Sequence, residues 1–163
     1  MDKLLEKISR YHLINYIIPG VLTIYLSKQI NQIELLTSNM FFDIVMAYAL
    51  GLICSRIGSL IVEPLLKLIH FVHFADYKDY MSAEKNDPKL TDLNTDNNLY
   101  RTIAGSALFI AVQMGFVILK TRYDFVREYS SIIILIAFLL LFLFSYKKQT
   151  SYIVKRVDKY KNS

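Results

Sequence analysis

Arg56 and Glu63 are the residues of this sequence best placed to do chemistry. They sit in "GLICSRIGSLIVEP", Gly51 to Pro64, within a long apolar run. If that run crosses a bilayer, each is an ionised group at a depth where charge is costly and by default functional. Their spacing brings them to nearly the same helix face, with a rise of about 10 Å between the two backbones. Either the side chains reach towards each other, or each finds a partner on another helix or subunit. A charge facing acyl chains would cost at least about 2.5–3.5 kcal/mol, so Arg56 is expected to face protein or water. A structural interhelical pair and a role in a gate or ion path both fit.

Other chemistry-bearing groups are sparse. "HFVHFAD" places His70, His73 and Asp76 at i, i+3 and i+6, but i+6 lies well round a helix from i. No HExxH motif or cysteine pair accompanies them, so interfacial histidines beside Phe71 and Phe74 are the expectation, with no metal site and no cofactor. The sequence has no GxSxG, Walker or GxGxxG motif, and no serine in an apolar run has an evident base at its depth. An enzyme is not expected. Cys54 is the one cysteine, which excludes an intrachain disulfide and fits a buried thiol. Cations with a nearby aromatic ring could receive a phosphate-rich ligand: Lys78, Lys85, Lys89, Tyr100 and Arg101, together with Lys155 and Arg156. Asp76, Asp79, Glu84, Asp87, Asp92 and Asp96 interleave with the first of these, so only the C-terminal tail is a basic patch. Lipid anchoring is the expected role of that tail.

The elements that would carry these residues follow from composition. Hydrophobic residues make up 54% of the 163-residue chain and charged residues only 20%, with a mean hydropathy of +0.33. That is too little polar surface for a soluble domain of this size. Four stretches are long enough to span a bilayer: Tyr11 to Ser27, Phe41 to Leu66, Thr102 to Leu119 and Tyr129 to Tyr146. The expected fold is therefore all-α, a four-span helical transmembrane protein. Its expected segments are an interfacial helix (1–10), spans 1 and 2 (11–66), a cytoplasmic loop or helix (67–101), spans 3 and 4 (102–146) and a basic tail (147–163). In the loop, "FVHFADYKDYMSAEK" could prolong the second span as an amphipathic helix. "NDPKLTDLNTDNN" reads as turn and loop, and Asn97 or Asn98 as the cap of the third span. Lys and Arg concentrate before span 1, between spans 2 and 3, and after span 4, which predicts that both termini and the middle loop are cytoplasmic.

Small and polar residues mark the faces expected to meet other helices. Gly51, Ser55 and Ser59 recur at i+4, as do Ala107, Ala111 and Gly115. Asn15, Pro19, Thr23 and Ser27 form a line along span 1, with Pro19 and Gly20 predicting a kink. With Arg56 and Glu63, Asn15, Thr23 and Ser27 are candidates to line a pore or gate; ordinary helix packing is the competing reading. Four short spans enclose little volume, so a homo-oligomer is expected.

With "YHLINYIIPGVL" in span 1 and "NNLYRTIAG" entering span 3, the chain resembles small multi-pass membrane proteins of bacterial anti-phage defence systems, most nearly the Hailong membrane effector and less nearly the Kiwa membrane component. The resemblance implies a homo-oligomer, a tetramer, in the bacterial inner membrane, acting as an ion channel controlled by a DNA oligomer that a partner nucleotidyltransferase makes. The function expected is thus a channel or membrane-disrupting effector gated through its cytoplasmic regions. The alternative is a non-conducting membrane sensor or scaffold that recruits a cytoplasmic partner.

Overall fold

The apolar runs become helices whose ends are set by local chemistry. The computed structural model describes residues 11–37 and 39–161; the interfacial helix expected over 1–10 lies outside the described residues. A π-helical turn, Leu13–Ile17, leads into α1, Ile18–Asn31. Gln32 stops α1 by adopting a left-handed backbone, φ 56°. The next helix starts at Asn39, whose side chain accepts the Phe41 N–H at 3.0 Å. It comprises α2, Met40–Ile57, a second π-helical turn, Gly58–Val62, and α3, Glu63–Leu68. Helix α4, Tyr77–Asn86, then precedes α5, Lys89–Arg122, and a short α6, Asp124–Glu128, leads into α7, Ser130–Lys161. The described residues contain no strand.

Both π-helical turns immediately precede a proline, Pro19 or Pro64. Proline has no N–H to donate, and its ring collides with the carbonyl four residues back. Widening the helix by one residue at that point relieves the collision without breaking the rod. At the kink expected around Pro19 and Gly20, the helix carries a π-helical turn, Leu13–Ile17, directly before α1.

Among the described residues, three helices are long and apolar enough to cross a membrane: Met40–Leu68, Lys89–Arg122 and Ser130–Asp158. The first helix, with Asn15, Pro19, Gly20, Thr23 and Ser27 along it, is not among them. Three expectations for the loop are corrected. The second long helix does not continue through "FVHFADYKDYMSAEK": it ends where His70 takes φ 57°, and helix resumes at Tyr77. Most of "NDPKLTDLNTDNN" is helical, because Pro88 occupies the N-cap of α5 and its fixed φ suits a helix start. Asn97 and Asn98 are consequently interior positions, and the Asn98 carbonyl accepts the Thr102 hydroxyl at 2.7 Å. The basic tail, in turn, continues α7 without a break.

Packing is inverted relative to a soluble domain. Among the described residues, the buried set holds nine polar or charged residues against seven hydrophobic ones, while Leu, Ile, Val and Phe dominate the exposed surface. Such a surface is stable only against oil. Without a hydrophobic drive between them, the helices join through small residues and backbone contact. A Cβ added at Gly20 would overlap the Ala47 carbonyl, and one at Gly51 would overlap that of Tyr16, so α1 and α2 touch backbone to backbone. Gly105 does the same for α5 against Cys54 and Gly58. Helices α1, α2 and α5 thus form one close-packed unit around Ile24, Ala47 and Leu50. Helix α7 lies on its flank: the buried share of the three apolar helices falls from 39% to 22% to 6% in chain order.

The face that α5 presents to this unit is Thr102, Gly105, Ser106 and Ile110. Ala107 and Ala111 are exposed, and Gly115 has no neighbour within 4 Å. Replacing Gly105 by Val should therefore lower stability by about 1–3 kcal/mol or more, read as a lower melting temperature in mild detergent. Gly115→Ala should be neutral or slightly stabilising in the same measurement.

Candidate functional site: a carboxylate held by three helices

Glu63 is 7% exposed and stands at the first position of α3, after the π-helical turn. Its partners come from three segments. Lys67, one turn on, donates from Nζ to Oε1 at 2.9 Å. Arg101 of α5 donates from Nη1 to Oε2 at 2.8 Å. Lys148 of α7 brings Nζ to 3.8 Å from Oε2. One anion thus ties together α3, α5 and α7. Of the two arrangements open for Glu63, partners on other helices are the one adopted.

Lys148 has a further role that follows from the backbone. In the π-helical turn the Glu63 N–H bonds to the Gly58 carbonyl, five residues back. The next donor in that register would be Pro64, which has no N–H. The Ser59 carbonyl therefore lacks its intrahelical partner, and Lys148 Nζ supplies one at 2.6 Å while also donating to the Ser59 hydroxyl at 2.8 Å. The proline that ends the widened turn thus creates the acceptor that docks α7.

Arg56 does not bond to Glu63. It is half-buried, lies within electrostatic reach of Lys148 and Tyr152, and its Nε is a buried donor without a partner, as is Nε of Arg101. Lys67, Arg101 and Lys148 surround a single carboxylate and Arg56 lies within electrostatic reach of Lys148, so this end of the bundle carries excess positive charge.

The remaining candidates fall into separate places. Asn15, Thr23 and Ser27 are 1%, 0% and 0% exposed, within the seam between α1, α2 and α5. Thr23 donates to the Pro19 carbonyl at 2.7 Å and touches the buried Cys54 sulfur at 3.5 Å. Ser27 donates to Gln113 Oε1 at 2.8 Å, beside Asn31, which bonds the same oxygen and the Ile110 carbonyl. Within the chain this line packs the helices against one another. Pro19, Gly20, Gly51, Ser55 and Ser59 are buried in the same unit. The ligand candidates do not converge: Lys85 is exposed on α4, Lys89 and Tyr100 on α5 and Arg156 on α7, Arg101 is committed to Glu63, and Lys155 flanks a groove beside α7. The Lys78 side chain lies outside the described set. Helix α4 is tied to α5 through Glu84, which accepts from Tyr80 at 3.1 Å and Thr91 at 3.4 Å. Burial and this carboxylate push the Tyr80 phenol up from its ordinary value. His70 and His73 stack loosely, with ring centroids 6.3 Å apart.

Sequence reasoning missed Lys67 and Lys148 as partners of Glu63, and Ser59 as an acceptor. The available signal was positional: Lys67, Arg101 and Lys148 are cations just beyond one end of each long apolar run. Comparison with protein-family models, curated proteins and solved structures gives no match to this chain.

Removing the carboxylate leaves its partners facing one another at low dielectric. Glu63→Ala should cost about 3–5 kcal/mol, seen as a lower unfolding midpoint in detergent. Replacing Glu63 and Arg101 together by Leu should recover part of that loss, whereas independent contributions would simply add.

Proposed function

We propose that the chain is the protomer of a homo-oligomeric ion channel, or membrane-disrupting effector, of the bacterial inner membrane, gated through its cytoplasmic segments. In this reading all four apolar segments cross the bilayer and both termini lie inside. The observation that carries the proposal is the ionic lock at Glu63. Helix α5 runs for 34 residues without a break from the loop into the apolar unit, so a pull on α4 or on the start of α5 bears directly on Arg101. Moving Arg101 away from Glu63 strands a charge where it is expensive, which makes the lock a two-position element rather than a gradual one. The trigger is a ligand that draws the cytoplasmic segments together, or a partner that leaves them. In the defence setting that the sequence resembles, it would be a DNA oligomer from a nucleotidyltransferase. Ala107, Ala111 and Gly115, turned away from the protomer's own helices, are the surface offered for self-association.

A second reading has its own support. The polar line of Asn15, Thr23 and Ser27 is sealed inside the protomer, which suits a non-conducting membrane scaffold that holds a cytoplasmic partner. Conductance separates the two. Purified protein should run as an oligomer of the 19.0 kDa chain and pass current in a planar bilayer. Glu63→Gln should raise the open fraction, and Arg56→Ala should alter unit conductance or selectivity. A bilayer silent for the wild type and for Glu63→Gln, with or without short DNA oligomers, would establish the scaffold.

A further inference from the structure

One face of α7 changes character along its length. Ala137, Leu140, Leu141 and Phe144 lie opposite Leu60 and Ile61 across a groove of about 850 Å³, and the same groove continues past Lys147, Lys148, Tyr152 and Lys155. The apolar part covers roughly 10 Å of helix, against about 15 Å for one leaflet of hydrocarbon. The cationic part begins where the bundle's excess positive charge lies. Lys148 is tied to Ser59 at the groove's edge and fixes the spacing of the two helices there. Among the described residues, Lys147 and Lys155 have no carboxylate within ion-pair distance.

We propose that this groove is a binding site for an anionic phospholipid of the inner leaflet, its acyl chain along Leu60, Ile61 and Phe144 and its phosphate between Lys147 and Lys155. The occupant follows from charge and depth. A second copy of the chain is the poorer match, because a helix that filled the apolar half with one of the runs 41–66, 102–119 or 129–146 would bring as carboxylates only Asp43, at the opposite end of α2, and Glu63, already ion-paired. A soluble oligonucleotide could meet the lysines but would leave the apolar half unfilled. A phospholipid satisfies both halves at once, since its charge and its chain are joined at the depth where the face of α7 changes. Such a lipid would neutralise part of the excess charge around Arg56 and Lys148 and wedge α7 at a set distance from α2. The site rests on the membrane placement and inward tail, and it holds whether or not the assembly conducts.

The test is native mass spectrometry of the full chain from detergent, with added phosphatidylglycerol or phosphatidylcholine. The wild type should retain one phosphatidylglycerol per protomer in preference to phosphatidylcholine. Lys147→Gln with Lys155→Gln should weaken retention about thirtyfold, from about fivefold for each cation lost at the membrane surface. Ala137→Trp, which fills the groove without changing charge, should weaken it comparably while the melting temperature stays put. Lys28→Gln with Lys120→Gln should change nothing. Equal retention of the two lipids overturns the proposal, as does insensitivity to Ala137→Trp. So does a change of subunit number in the groove variants, which would make a second copy the occupant. Displacement of the lipid by a short DNA oligonucleotide would likewise assign the cations to a soluble anion.

Discussion

A carboxylate that is 7% exposed, in a protein whose outer surface is oil-like, is the constraint from which one end of this helical bundle follows. Uncompensated, Glu63 would cost several kcal/mol at that depth. Compensation requires cations on hydrogen-bonding terms, and the chain delivers them from α3, α5 and α7. Because each long helix contributes a charge to one point, their relative heights are fixed there. Helices joined by apolar contact in lipid have no comparable register, since leucine against leucine is little better than leucine against an acyl chain. The ionic cluster therefore specifies register more than it adds stability, in keeping with the modest net value of buried ion pairs.

The rest of the bundle obtains its specificity differently. Gly20, Gly51 and Gly105 let backbones touch, and hydroxyls such as Thr23 and Thr102 return their bonds to their own helix at 2.7 Å. Such a seam needs no charge and tolerates none. The two prolines serve both regimes, since each is preceded by a turn of wider pitch. In the second helix that turn also frees the Ser59 carbonyl to accept from Lys148. A backbone irregularity is thus tolerable at bilayer depth because a side chain from a neighbour satisfies it.

This division explains what was legible in the sequence. The helical class and the three long apolar helices follow from run length and hydropathy, which are local properties. The burial of Gly51, Ser55 and Ser59 follows from their i+4 spacing, also local. The packing face of α5 was not legible, because Ala107, Ala111 and Gly115 form as good a small-residue stripe as Thr102, Gly105 and Ser106, and only the crossing point at Cys54 selects between them. The partners of Glu63 were not legible either. Pairing depends on helix heights, and the seven-residue spacing from Arg56 pointed along the helix rather than across it. The start of α5 was misjudged for a simpler reason. Its Asn, Asp and Thr residues favour loops in isolation, but they continue a helix that the apolar segment beyond Arg101 holds in place.

The uneven anchoring of α7 has a mechanical consequence. Along its apolar length it buries almost nothing against the rest of the chain, and the polar stitch between Lys148 and Ser59 holds it at one end. Lipid can replace the remaining contacts at little cost, because the exchange is oil for oil. The angle between α7 and the bundle is thus governed by the stitch and by whatever fills the space beside it. The same region carries Arg56 and Arg101, whose Nε groups are buried without partners, and their unmet demand is for negative charge. Any anion delivered there would act on helix position and on the charge lock together, because Lys148 belongs to both. Coupling of this kind needs no long pathway through the protein; it needs only one lysine shared between a docking contact and an ion cluster.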